Sequence, residues 1–194
     1  MIIVRHRINR VVELQAVPYA QGVEIDLRTF NGNLILQHDA ITDGENFEDW
    51  LKSFRHKLLI LNVKEEGLEP TIIRILRNFK ITSYFFLDQS FPTQFRMSKS
   101  TPGIICTRVS EVEPISMTLS LNPGWVWFDS HSGNWDYLLH AFSQLQGSQV
   151  KKCLVSPELQ RNNSEVEIQN LKTQLKKLSI NFDAVCTKFP SVWS

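Results

Sequence analysis

The 194-residue chain has little cysteine, and its three cysteines show no metal-ligand spacing. Cys106, Cys153 and Cys186 are odd in number and lie in apolar runs. That pattern excludes a disulfide framework and a zinc-finger type of site, and it predicts buried thiols in a reducing compartment. No apolar run approaches the ~18 residues needed to span a bilayer. The opening Met1-Ile-Ile-Val-Arg-His6 is charged too soon for a signal peptide. A soluble, cytoplasmic protein is expected. A surplus of one charge sign is missing too, with 21 basic against 20 acidic side chains and a formal charge of +1. Polyanion binders carry a basic excess because phosphate neutralisation supplies most of their non-specific affinity. Nucleic acid is therefore not an expected partner, although a local basic pocket for one phosphate group is compatible with this balance. Repeats, linkers and low-complexity segments are absent as well, so residues 1–194 read as one domain. The sequence carries no signature of oligomeric state.

What is present is a regular alternation. Ile2–Val4, Gly22–Leu27, Leu58–Val63, Tyr84–Leu87, Ile104–Val109, Trp125–Asp129, Cys153–Val155 and Phe182–Cys186 read as strands. Between them lie amphipathic stretches with helical spacing, such as Phe47, Trp50, Leu51 and Phe54 behind an Asn46 cap. Pro70–Phe79, Glu111–Leu121, Trp135–Gln146 and a long helix capped by Ser164 follow the same rule. Asn33–Gln37 follows the second strand so closely, across Asn31-Gly32-Asn33, that it reads as a hairpin extension. Strands that are apolar throughout are buried on both faces, as a parallel α/β sheet requires. Eight such repeats predict a compact (β/α)8 barrel with short loops, and no eighth helix is expected after Trp193. The open doubly wound sheet is the alternative. Trp125, Trp127 and Phe128 read as packing residues, Trp135 as better placed to line a pocket, and His56 and His140 as surface residues.

In such barrels the functional groups sit where strands end and loops begin. Glu24 and Asp26 stand two apart on one strand, so both carboxylates project to one face. Such a pair is stable beside a shared cation or proton, and oxygen ligands of this kind suit Mg2+ or Ca2+. His6 and His38 follow neighbouring strands and are candidates for a general acid and base. Arg7, Lys64 and Arg108 end their strands with the positive charge that binds phosphate.

At these residues the sequence resembles a known family. His6-Arg7, Gly22-Val-Glu24-Ile-Asp26 and Leu36-Gln-His38-Asp39 are similar, in this order, to the opening signature of the glycerophosphodiester phosphodiesterases. These TIM-barrel enzymes are related to bacterial phosphatidylinositol phospholipases. The resemblance implies that His6 and His38 are the acid–base pair, that Glu24 and Asp26 bind a divalent metal, and that Lys64 lies near the phosphate. Cys186-Thr-Lys-Phe-Pro190 also looks like the family's last strand. Three departures stand out. Ile8 replaces the glycine of His-Arg-Gly, the long insertion after the His-Asp pair is missing, and Asn62 stands where the family has a glutamate ligand. Asn62 would serve as a weaker oxygen ligand, unless Asp88 or Asp129 supplies the missing carboxylate.

Two functions follow. The first is a metal-dependent phosphodiesterase acting on a small phosphodiester, with water or a neighbouring substrate hydroxyl as nucleophile, the latter giving a cyclic phosphate. The second is a catalytically impaired barrel that binds a phosphorylated ligand or a protein partner.

Overall fold

The computed structural model describes residues 1–160 and 165–194. The Ser164 cap expected from the sequence lies outside the described residues. In chain order the elements are β1 (Ile2–Arg5), α1 (Val11–Gln15), β2 (Gly22–Phe30), β3 (Asn33–Leu36), β4 (Glu45–Asn46), α2 (Phe47–Leu51) and β5 (Leu58–Val63). They continue with α3 (Glu69–Asn78), β6 (Tyr84–Leu87), α4 (Phe91–Ser98), β7 (Cys106–Val109), α5 (Ser116–Leu121) and β8 (Trp125–Phe128). The chain ends with α6 (Leu138–Gln144), β9 (Lys151–Val155), α7 (Glu165–Lys177), β10 (Ala184–Thr187) and α8 (Pro190–Trp193).

The sheet is curled, and its parallel strands follow chain order. β1 pairs with β2, β2 with β5, and β5 with β6. β7, β8, β9 and β10 pair in turn, and β10 returns to lie beside β1. Between β6 and β7 there is one parallel bridge, Phe86 to Ile105. This is a mixed α/β fold consistent with a TIM barrel. β3 pairs antiparallel with the far end of β2, Leu27 opposite Leu36, and β4 adds two residues beyond it.

Three apolar clusters account for this arrangement. An inner one gathers Val4, Leu58, Ile60, Phe85, Cys106, Trp125, Trp127, Cys153 and Cys186 from seven strands. Two outer ones lie under the helices. One joins α1, β2, α2, β5 and α3, and the other joins β8, α6, β9, α7 and β10. β5 feeds both layers: Ile60 faces inward while Leu59 and Leu61 face the helices. Every residue of β5 is buried, and each such Leu or Ile contributes roughly 1.5–3 kcal/mol of transfer free energy. All three cysteines are buried free thiols.

Several helices are shorter than the apolar pattern predicts. α2 stops at Leu51 although Phe54 continues the period, because the backbone there closes in three-residue steps, Ser53 N to Trp50 O and Phe54 N to Leu51 O. His56 is consequently a buried loop residue and not a surface helix residue. It is 7% exposed, with Nε2 on the Val17 carbonyl at 2.9 Å. α5 begins only at Ser116 and α6 only at Leu138, while a single helical turn, α8, follows the last strand behind Pro190. Trp125, Trp127 and Phe128 are buried packing residues, and Trp135 is buried against the outer cluster of the second half. Among the described residues, no helix is long and apolar enough to cross a membrane.

Candidate functional site

The register that pairs Asp26 with Asn62 and Arg5 with Val23 brings the ends of β1, β2 and β5 together. Glu24 and Asp26 are 1% and 0% exposed, so the carboxylates that share one face of β2 are fully out of solvent. Their partners come from the loop after β1 and from the end of β5. Arg7 N donates to Glu24 Oε2 at 2.8 Å, a contact made possible by the left-handed turn at Arg7, φ 54°. His6 Nε2 lies 3.8 Å from the same oxygen. Asp26 Oδ2 has the Arg7 guanidinium at 3.8 Å and accepts from Asn9 Nδ2 at 3.0 Å, while Asp26 N donates to Asn9 Oδ1 at 2.9 Å. Lys64 Nζ stands 3.1 Å from Asp26 Oδ1, which has no other partner.

Burial sets the proton balance. Glu24 is pushed up to about 7, first by desolvation and then by the charge of Asp26, with hydrogen bonds from Arg7 and Asn62 pulling the other way. His6 is pushed down to about 3 by burial and by the positive charges of Arg7 and Lys188. It is therefore a neutral imidazole at ordinary pH, and its Nδ1 is buried without a partner.

His38 stands at the rim, on the turn after β3. Its Nδ1 meets Asp39 Oδ1 at 2.8 Å and its Nε2 meets Arg7 Nη2 at 2.7 Å. A carboxylate accepts only and a guanidinium donates only, so Nδ1 carries the proton and Nε2 presents a lone pair to Arg7. Arg28 fixes the turn from behind, Nε donating to the His38 carbonyl at 3.0 Å.

Of the residues singled out in the sequence, His6, Arg7, Glu24, Asp26, His38 and Lys64 are joined by these contacts. Asn62 is 8% exposed at the end of β5, and its Oδ1 has no partner. Arg108 is engaged elsewhere. It binds Asp88, reaches Asp129 Oδ2 at 2.5 Å and lies 3.7 Å from Glu113 Oε1. Asp88 and Asp129 are thus held by Arg108, and Asp129 also accepts from Gln160 at 2.5 Å. His131 is exposed and pairs with Glu113 at 3.5 Å. Asn9 was not legible in the sequence. Nothing marks it there beyond its place three residues after His6, and its role appears only once β1 and β2 lie side by side.

The donor set can be tested against a divalent ion. Among the described residues no group of three or more His, Cys, Asp or Glu gathers as a metal cluster would. Two buried carboxylates and one orphaned amide oxygen do converge, and all three are the hard oxygen donors that Mg2+ and Ca2+ take. The set fits such an ion in kind, with one negative charge fewer than three carboxylates would bring.

No protein-family model matches the chain. No curated protein matches it. Solved structures do. A glycerophosphodiester phosphodiesterase from Thermotoga maritima superposes with a TM-score of 0.72 at 13% identity, over 99% of this chain and 96% of that one. A second, from Agrobacterium tumefaciens, gives 0.69 at 11% identity over 99% and 98%. A third, from Parabacteroides distasonis, gives 0.69 at 12% identity over 98% and 84%. At this identity the likeness is one of fold.

Proposed function

We propose that this chain is a glycerophosphodiester phosphodiesterase-like enzyme on a closed (β/α)8 barrel, a phosphoric diester hydrolase or lyase that cleaves a small phosphodiester at the ends of β1, β2 and β5. The observation that carries this reading is the buried pair Glu24–Asp26 with His6, Arg7 and Lys64 all within 4 Å of its oxygens. A structural ion pair needs one partner for each charge. This cluster instead assembles two buried carboxyl groups, two cations and a neutral imidazole beside an open rim.

Arg7 and Lys64 are the phosphate-binding groups. Each sits on a carboxylate now, and a phosphodiester offers the same charge with tetrahedral oxygens. Arg108, bound by three carboxylates, is left out of this set. Moving Arg7 onto phosphate frees His38 Nε2, whose lone pair then takes the proton of the nucleophile, with Asp39 steadying the imidazolium. His6 is kept neutral by burial and by Arg7 and Lys188; an anionic phosphate beside it offsets those charges and lets it take a proton from solvent, which it then passes to the leaving oxygen. A divalent ion, Mg2+ or Ca2+, held by Glu24, Asp26 and Asn62 Oδ1, would neutralise the diester and stabilise developing charge on its oxygens. The nucleophile is water or a substrate hydroxyl.

The second reading, an impaired barrel that binds a phosphorylated ligand or a protein partner, is favoured by two observations: His38 Nε2 is capped by Arg7, and a third acidic ligand is missing.

Hydrolysis of bis(p-nitrophenyl) phosphate and of glycerophosphodiesters, with Mg2+, Ca2+, Mn2+ or EDTA, decides between them. The enzyme reading expects turnover that needs a divalent ion and vanishes in both His6→Ala and His38→Ala. Binding of a phosphodiester without turnover under any ion would establish the second reading.

A further inference from the structure

At the other end of β5 and β6 the chain forms a cavity of about 630 Å³ that the proposed chemistry does not use. Its walls come from the segment after α2, with Lys52, Phe54, Arg55 and His56, and from the turn after α3, with Phe79 and Lys80. These residues precede the strands whose opposite ends bear Asn62 and Leu87, so about 15–20 Å of strand separates the cavity from the carboxylate site.

The charge here is uncompensated. Lys52 pairs with Asp49 at 2.6 Å. Among the described residues no ion pair involves Arg55 or Lys80. Arg55 spends one donor on the adjacent Phe54 carbonyl, at 2.6 Å, and keeps the rest. The carbonyl end of α3 faces the same space with roughly half a negative charge, which offsets only part of two full cations. Lys80 holds its place in the left-handed conformation, φ 58°, at the position after a helix where glycine is the usual residue. The floor is aromatic: Phe54 stacks on Trp50 at 5.7 Å, and the His56 ring lies 5.6 Å from Phe54 and 5.4 Å from Tyr19.

His56 belongs to the same wall. It is 7% exposed, and its Nε2 meets the Val17 carbonyl, so Nε2 carries the proton and Nδ1 is an acceptor. Among the described residues that Nδ1 has no partner, and it is closed off from solvent. A phosphate monoester brings anionic oxygens for Arg55 and Lys80, and the His56 ring in the same wall reports its arrival.

We propose that this cavity is a second ligand site, for a phosphate monoester whose apolar or aromatic body rests on Phe54 and Phe79. The site is separate from the Glu24–Asp26 centre and stands or falls independently of the reaction proposed there.

The test uses His56 as its own reporter. The imidazole 1H–13C resonances of the full chain are followed while phenyl phosphate, inorganic phosphate or phenol is titrated, in wild type, in Arg55→Gln/Lys80→Asn and in Glu24→Ala. Asparagine tolerates the left-handed turn and both altered side chains are exposed, so the double variant keeps its fold; its unchanged thermal transition verifies this. The proposal expects a saturable shift of the His56 signal with phenyl phosphate, unchanged in Glu24→Ala and weakened at least tenfold in the double variant. Phenol should leave the signal in place, and inorganic phosphate should move it only at higher concentration. Absence of a saturable His56 shift, a shift that phenol reproduces, or full affinity in the double variant would each overturn it.

Discussion

Replacing Glu24 by Gln should make the protein more stable at pH 8, against the general expectation that substitutions in a buried polar cluster destabilise. The carboxyl is held at about 7 where its ordinary value is 4.5. Its folded form therefore keeps a proton that the unfolded chain has already released. Below pH 4.5 both states are protonated and nothing is lost. Between pH 4.5 and 7 the unfolded state sheds its proton first and folding weakens as pH rises. Above 7 the deficit is constant, roughly 3 kcal/mol for a displacement of this size. A glutamine keeps the oxygen that accepts from Arg7 N and never ionises. Urea unfolding of wild type and variant, followed from pH 4.5 to 8, should give curves that converge at the acid end and separate by about 3 kcal/mol at the alkaline end. In this size class that corresponds to roughly 6–12 °C in melting temperature. Comparison at each pH cancels contributions common to both proteins, including that of His6. A separation that is absent at pH 8, or equal at pH 4.5 and pH 8, would refute the assignment of the strain to a buried Glu24 carboxylate. Adding Mg2+ or Ca2+ at pH 8 should stabilise wild type more than the variant, which measures the donor set without any assay of turnover.

Lys64→Met removes the ammonium 3.1 Å from the buried Asp26. A loss of about 3–5 kcal/mol is expected in chemical denaturation at pH 7, and an unaltered midpoint would mean that Asp26 is compensated elsewhere. His6→Gln should flatten the acid limb of the stability curve. The wild-type imidazole, held at about 3 instead of 6.5, stays neutral while the unfolded chain protonates, so wild type loses up to about 1.4 kcal/mol more per pH unit than the variant below pH 6. Parallel curves would contradict that. Arg108→Gln strands the buried Asp129. It should cost roughly 3–5 kcal/mol at pH 7, with the deficit shrinking towards acid because Asp129, pushed up chiefly by burial, then takes a proton; a deficit that does not change with pH would refute this. Gly124→Ala places a methyl 2.1 Å from the Gly103 carbonyl oxygen. A drop of roughly 1–3 kcal/mol or more is expected, and a wild-type melting temperature would show that the turn relaxes freely.

Much of the framework was readable because it depends on short-range patterns. β8 is apolar at every position and β5 at every position but Asn62, which in water requires cover on both faces, and both are buried throughout. The carboxylate pair was readable because strand periodicity alone puts Glu24 and Asp26 on one face. Helix lengths were not. Phe54 keeps the period of α2 after the hydrogen bonding has changed, and that error carried His56 to the surface when it is buried. Arg108 shows a different limit. An arginine at a strand end has the same local sequence whether it awaits a phosphate or serves three carboxylates, and two of those three, Asp88 and Asp129, lie 20 and 21 positions away. Asn9 illustrates the same point in reverse, a plain loop asparagine whose two bonds to Asp26 depend on the lateral placement of two strands.

The lone Phe86–Ile105 bridge gives the molecule a seam. Each half of the chain has its own outer apolar layer, and the halves also meet at the four-residue pairing of β1 with β10, at the Arg108–Asp88 contact and through the shared inner cluster. A cut near Ser100–Thr101 would break the backbone at the boundary where lateral hydrogen bonding is already thinnest. Two polypeptides, 1–100 and 101–194, should therefore find each other and rebuild the enclosure, and deuterium should enter the amides of β6 and β7 before those of β5 or β8. The β1, β2 and β5 donors all travel on the first of those two pieces. The proposed chemistry would thus be inherited from one half, with the other half completing the fold around it.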